Sequence, residues 1–272
     1  MILLLFLIES IILAVLSIFM IPDASYFYVP IIVLFGSFIG LNILFTLYLF
    51  VLGLFVNKKK IYTKQNKLYN LTTIYTMQWV LNLFHVKIEV NGLEKVPHDK
   101  KYLLVYNHTS NFDPIVESWV LRRDNLIHIS KPGNFNKPLA GRIVYRNCYI
   151  PIDRENNREA AKSILRACNF IKEEKYSVAV SPEGTRNKGD VTSLLPFRDG
   201  CFKIPLRTNC PLVICELENM ESIKHVKLFK KTIVKMNILD VLYYDQYKDM
   251  ISHELSEIVR KEIQEKIDED LK

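Results

Sequence analysis

Two long apolar stretches open the chain. Ile2 to Ile21 gives twenty residues with one charge, and Val29 to Val56 gives twenty-eight with none. A helix needs roughly 20 apolar residues to cross a bilayer, so the pattern predicts a membrane anchor of two transmembrane helices over residues 1–60. A secretory signal would carry positive residues ahead of a shorter apolar core, whereas Met1 here runs straight into Ile2-Leu3-Leu4-Leu5. Gly36 and Gly40 stand four apart in the second span, a spacing that admits a neighbouring helix closely and is also ordinary glycine usage in membrane helices. Glu9 is the one ionisable group inside a span and is assigned no role. A third stretch, Leu68 to Phe84, is interrupted by Asn70, Thr72, Thr73, Thr76, Gln78 and Asn82. Residues 61–85 are therefore expected to form an amphipathic or interfacial helix.

From Val86 onward the pattern changes to short apolar runs separated by helical periodicity. Strands are expected at Val86–Val90, Tyr102–Tyr106, Leu126–Ser130, Tyr149–Ile152, Ser177–Val180, Leu212–Leu217 and Ile233–Leu239. Helices are expected at Pro114–Arg122, Pro138–Tyr145, Arg158–Glu174 and about Phe202–Arg207. Such alternation predicts an α/β layer structure over residues 86–272. At the end of the chain Met250, Leu255, Ile258, Val259, Ile263 and Ile267 recur at helical spacing among charges, which predicts an amphipathic helix covering the core.

Charge adds a direction to this layout. The connector Pro22-Asp23-Ala24-Ser25 has no basic residue, while Lys58, Lys59, Lys60, Lys64 and Lys67 follow the second span. The positive-inside rule then places both ends of the hairpin, and the α/β domain, on the cytoplasmic side. In that reducing compartment Cys148, Cys168, Cys201, Cys210 and Cys215 are expected as thiols. No Cys-x-x-Cys pair points to structural zinc. Residues 1–56 hold no Lys or Arg and only Glu9 and Asp23, so the whole-chain charge of +7 leaves +9 on the remainder. The cations are scattered and accompany no nucleic-acid recognition motif. A membrane surface is the expected partner. There is no glycine-rich phosphate loop, dinucleotide fingerprint or internal repeat. With 49% hydrophobic residues, collagen, disulfide mini-protein and disordered tail all fit poorly.

Three strand ends carry polar groups suited to chemistry. In Asn107-His108-Thr109-Ser110-Asn111-Phe112-Asp113-Pro114 a strand passes through a polar loop into a helix start. An imidazole there can accept a proton, and a carboxylate five positions on can hold its other ring nitrogen. Asp followed by Pro is also what a helix N-cap looks like, and Asp113 is expected to serve either purpose or both. In Ser181-Pro182-Glu183-Gly184-Thr185-Arg186, Gly184 permits close backbone approach and Arg186 offers a fork for an oxyanion. Glu183 would fix that Arg or bind a substrate hydroxyl, and a plain turn with a surface ion pair is the bland alternative. In Cys148-Tyr149-Ile150-Pro151-Ile152-Asp153-Arg154 the final Arg is a second candidate clamp for an anion.

Taken in order, these blocks with Phe197-Arg198-Asp199-Gly200 and Cys210-Pro211-Leu212-Val213 resemble the glycerolipid acyltransferases over roughly residues 85–220. The resemblance implies a central mixed sheet flanked by helices behind an N-terminal transmembrane helical hairpin. It implies His108 as catalytic base assisted by Asp113, with Arg154, Glu183, Gly184, Thr185 and Arg186 around the acceptor. It implies no metal or other cofactor, the co-substrate being an acyl-CoA or acyl carrier protein thioester. The expected reaction moves that acyl chain to the sn-2 hydroxyl of a membrane-resident lysophosphatidate, giving phosphatidic acid in phospholipid biosynthesis. Two blocks depart from the family's pattern. Cys148 stands where Gly is frequent, and Cys210 precedes the fourth block's Pro where Val is frequent. Acylation of glycerol 3-phosphate or another lysophospholipid is the alternative within the class. A catalytically silent membrane scaffold is the alternative outside it, and a metal hydrolase would need ligands beyond His108 and Asp113.

Overall fold

The computed structural model describes residues 2–21, 23, 26–225 and 230–271. Of the connector expected between the spans, Pro22, Ala24 and Ser25 lie outside the described residues. The chain divides into two compact units, residues 1–83 with 135–147, and residues 84–134 with 148–272.

In the first unit α1 (Ile2–Met20) and α2 (Val29–Leu54) pack together. Both are long and apolar enough to cross a membrane. No atom lies within 4 Å of where a Cβ would stand on Gly36 or Gly40, so their open face meets no helix among the described residues. Gly53, by contrast, is needed for contact, because a Cβ there would stand 3.0 Å from the Pro138 carbonyl. The third helix, α3 (Lys67–Leu83), turns Tyr69, Thr72, Thr73, Met77 and Leu81 inward. Its polar interruptions bond neighbouring helices. Thr72 Oγ1 meets the Tyr48 hydroxyl at 2.8 Å, and Trp79 Nε1 donates to Asn42 Oδ1 at 2.8 Å.

The second unit holds one seven-stranded mixed sheet in the order β1-β7-β6-β2-β5-β3-β4. Its strands are β1 (Val86–Asn91), β2 (Leu103–Tyr106), β3 (Ile127–Ser130), β4 (Ile150–Pro151), β5 (Val178–Val180), β6 (Leu212–Glu218) and β7 (Thr232–Leu242). All pairs are parallel except β6 with β7. The central strands β2 and β5 are buried at every position, which is why they read as unbroken apolar runs. β7 runs to Leu242, beyond the expected Leu239, because its partner β6 starts pairing there, Leu212 against Leu242. The helices of this unit are α4 (Asp113–Val120), α6 (Asn157–Lys172), α7 (Lys203–Thr208), α8 (Tyr244–Tyr247) and α9 (Ser252–Asp270). In α9 the apolar stripe Leu255, Val259, Ile263 and Ile267 is buried and packs on β6. One more helix, α5 (Gly141–Arg146), belongs to the first unit. It begins three residues later than Pro138–Tyr145 predicts.

All five cysteines are buried and none forms a disulfide. Cys148 adopts φ +71°, the left-handed region that favours glycine. A Cys at this place carries strain that a Gly would not.

Candidate active site

The parallel sheet brings the three polar strand ends to one edge. β2 and β5 are neighbours, with Val105 opposite Val180, so the loops that follow them emerge side by side. Asn107 anchors the first loop to β6. Its Nδ2 donates to the Leu217 carbonyl at 3.0 Å, and its Oδ1 accepts the Leu217 N–H at 2.7 Å. The backbone of His108 is held at both ends. Its N–H donates to Glu183 Oε1 at 2.6 Å, and its carbonyl accepts from the Asn187 N–H at 2.7 Å. Glu183 Oε2 also accepts the Leu195 N–H at 3.0 Å. This carboxylate therefore ties the β2 loop to the β5 loop, and among the described residues it pairs with no guanidinium. Burial raises its pKa, and the bonds from the His108 and Leu195 N–H groups work the other way.

His108 Nδ1 lies 2.7 Å from Asp113 Oδ2. The same oxygen accepts the N–H groups of Thr109 and Ser110, each at 3.0 Å. Asp113 is fully buried, while the His108 side chain is 21% exposed. Burial pushes Asp113 above the usual aspartate range, and the bonds from His108, Ser110 and Thr109 oppose that shift. With a carboxylate oxygen facing Nδ1, that nitrogen carries the proton and Nε2 keeps its lone pair. Asp113 does not cap α4, contrary to the simplest expectation for Asp-Pro. The next free helical donors, the N–H groups of Ile115 and Val116, are taken by the Phe112 carbonyl at 2.9 Å. The carboxylate is left to point back at the loop. Ser110 Oγ is buried and accepts the Phe112 N–H at 3.3 Å, which fixes it as part of the turn.

At the β5 loop an open cavity of about 580 Å³ is lined by Arg154, Asn157, Ser181, Gly184, Arg198, Lys203 and Arg207 over a floor that includes Ile129, Ile152 and Ile164. Among the described residues no carboxylate lines it. Gly184 has φ +71°, and a Cβ there would stand 3.0 Å from Arg198 Nε and 3.7 Å from Arg154 Cδ. Burial and the charge of Arg198 lower the pKa of Arg154, the signature of a cation lacking a counter-ion. The Ser181 hydroxyl is buried in the same wall without a hydrogen-bond partner. Of the residues singled out in the sequence, Arg154 and Gly184 line the cavity. His108 and Asp113 stand at the loop that Glu183 fastens. Thr185 is exposed, and Arg186 is half-buried and not part of the cavity wall. Arg198 was not assigned a role by the sequence, although it lies in the Phe197-Arg198-Asp199-Gly200 block. Elsewhere, the carboxylate oxygens of Glu216, Glu218 and Asp270 gather within 4.8 Å of one another.

An imidazole held by a buried carboxylate can accept a proton, and a cationic cavity at the carboxyl ends of parallel strands can receive an anion. Comparison with known proteins names the class. Residues 87–217 match the family model described as Acyltransferase. Over that stretch the chain carries an acyltransferase domain. Its similarity is more particular than that. It is 28% identical over 196 residues to the 1-acyl-sn-glycerol-3-phosphate acyltransferase of Haemophilus influenzae, covering 68% of this chain and 79% of the relative. The protein of the same name from Escherichia coli is 24% identical over 176 residues, 63% of this chain and 71% of that one. In fold, the chain resembles the crystal structure of the 1-acyl-sn-glycerophosphate acyltransferase PlsC from Thermotoga maritima. The TM-score is 0.60 at 15% identity, over 82% of this chain and 86% of that one.

Proposed function

We propose that this acyltransferase moves an acyl chain from a thioester, acyl-CoA or acyl carrier protein, to the sn-2 hydroxyl of 1-acyl-glycerol 3-phosphate, giving phosphatidic acid. The observation that carries the reading is the 2.7 Å contact of His108 Nδ1 with the buried carboxylate of Asp113. It leaves Nε2 as the basic nitrogen. An alcohol is a weak nucleophile at neutral pH, so Nε2 takes its proton as the oxygen attacks the thioester carbonyl. The new C–O bond forms, the C–S bond breaks, and the proton passes from the imidazolium to the leaving thiolate. Asp113 holds the ring and stabilises the cation while it lasts.

Arg154 and Arg198 would grip the phosphate of the acceptor as charge-assisted donors, with the Ser181 hydroxyl beside them. Glu183 keeps the two loops in register, and Thr185 and Arg186 form the outer edge of the same turn. A phosphate monoester suits a wall of cations without carboxylates. We place the site at the cytoplasmic face of the bilayer, because Lys58, Lys59, Lys60, Lys64 and Lys67 follow the second span. There an acceptor embedded by its own chain can reach it.

The test is an acceptor panel with the full-length protein in detergent or bilayer, offering lysophosphatidate, glycerol 3-phosphate and lysophosphatidylcholine with both donors. Lysophosphatidate is expected to be preferred by either donor. Equal turnover of lysophosphatidylcholine, whose phosphate is a diester, would sink the reading. In the same assay His108→Ala is expected to lose about 10²- to 10⁴-fold in rate and to stay in the membrane fraction.

A further inference from the structure

Glu117 stands four residues after Asp113 on α4, one turn along the same face. It is fully buried, and neither of its carboxyl oxygens has a hydrogen-bond partner. From β3 comes His128, also buried, with Nδ1 3.4 Å from Glu117 Oε2. His128 Nε2 is 2.8 Å from Ser118 Oγ, which in turn is 3.0 Å from the Tyr149 hydroxyl. On the other side Asp113 Oδ1 has no partner, although Oδ2 has three donors. Unpartnered polar atoms thus occur on Asp113, Glu117 and His128, the first of which holds the His108 ring. Buried polar groups are normally satisfied, so a set of them in one place asks for a shared explanation.

The charges around them decide which protonation states fit. Burial and the neighbouring Asp113 push Glu117 well above the usual glutamate range. Burial and His108 pull His128 down to about 3. Burial first, and then the same carboxyls, push Tyr106 on β2 and Cys215 on β6 well up, which keeps them neutral. Tyr149 is raised to about 12. The charge of Arg154 opposes the shift of Tyr106. These shifts favour the neutral acid form of Glu117, which stands one helical turn from Asp113 and its unpartnered Oδ1.

We propose that Glu117 is a positioning residue for the His108–Asp113 pair, its carboxyl O–H directed to Asp113 Oδ1 while His128, held by Ser118 and Tyr149, braces the carboxyl from behind. The inference rests on His108 acting as the base. A carboxylate with donors on both oxygens is a weaker base and keeps its ring plane fixed. Without the Glu117 donor, the pair takes up its proton at higher pH, and the ring is less well held.

The test compares kcat and pH profiles of Glu117→Leu, Glu117→Gln and the parent. Glu117→Leu is expected to lower kcat about 10-fold, the scale for one bond to a charged group. It should also move the acid limb of kcat/KM upward by about one pH unit. Gln retains a donor, so Glu117→Gln is expected to recover the rate to within a few-fold and return the limb to its place. If His128 left without its partner prevents Glu117→Leu from folding, Glu117→Leu with His128→Phe removes both polar groups and should show the same upward limb. A Leu or Leu/Phe variant with the parent's rate and limb would overturn the proposal and leave Glu117 a structural group. So would a Gln variant as impaired as the Leu one. His108→Ala separates the two levels, because an active His108→Ala removes the underlying mechanism, whereas an inactive one beside a parent-like Glu117→Leu removes this inference alone.

Discussion

Arg198 Nη1 donates to the backbone carbonyl of Arg154 at 3.4 Å, so one guanidinium is held in place by the main chain of the other. Two like charges thus share a cavity wall to which no carboxylate among the described residues contributes, an arrangement that favours an arriving dianion.

Arg198→Ala and Arg154→Ala are each expected to raise the apparent KM for lysophosphatidate about 10- to 100-fold, the worth of a hydrogen bond to a charged group. The effect on donor KM should be small. Arg186→Ala is expected to do less than either, because its side chain does not line the cavity. Steady-state kinetics at several acceptor concentrations check this. An Arg186 effect larger than that of Arg198 would reverse the assignment of the clamp.

Much of this arrangement was legible along the chain. Every expected strand is present, because β2, β3 and β5 are buried almost throughout and so appear as short apolar runs. The His108–Asp113 spacing was legible too, since both residues belong to one loop and one helix start. The direction of the Asp113 carboxylate was not. It follows from the Phe112 carbonyl occupying the Ile115 and Val116 N–H groups, a competition that residue identities do not announce. Nor were the Glu117–His128 contact and the place of Arg198. Each joins segments that only the sheet order brings together. The same holds for residues 135–147, whose helical spacing says nothing of their packing against Gly53.

Asp113→Asn tests the negative charge behind the imidazole. The amide oxygen can still accept the Thr109 and Ser110 N–H groups, so the turn survives. The same oxygen faces Nδ1 and keeps the tautomer, but a neutral amide no longer stabilises the imidazolium. The rate is expected to fall about 10²- to 10⁴-fold with little change in acceptor KM. Retention of more than half the parent's activity would show that the carboxylate does not assist His108.

Gly184→Ala probes the close approach at the cavity wall. At φ +71° an L-residue costs about 1–2 kcal/mol. The added methyl would meet Arg198 Nε at 3.0 Å and displace the guanidinium from Arg154. The variant should fold with a lower melting temperature and a raised KM for the phosphate-bearing acceptor. A melting temperature and KM equal to the parent's would mean that neither the backbone conformation nor the Arg198 position matters.

The last prediction concerns stability against pH. Glu216 on β6 is buried, and its Oε2 accepts from Asn237 Nδ2 at 2.7 Å. Asn237 Oδ1 accepts in turn from Asn91 Nδ2 at 2.7 Å, so a polar chain crosses β6, β7 and β1. Glu218 and Asp270 stand close by, neutralised in part by Lys235 and Lys266. Burial first, then Asp270 and Glu218, raise Glu216 to about 7. The folded protein therefore keeps a proton between about pH 4.5 and 7 that the unfolded chain releases, and stability falls as pH rises through that window. Above it the loss is constant, on the order of a few kcal/mol at about 1.4 kcal/mol per unit. Glu216→Gln removes the charge and keeps an oxygen for Asn237. It is expected to melt above the parent at pH 8, with the gap closing as the pH is lowered to 5. Glu262, also raised to about 7, is common to both proteins and cancels in the difference. Melting curves across this range decide the matter, since a gap that does not change with pH, or a variant that melts lower at pH 8, would show that Glu216 does not hold its proton in the folded state.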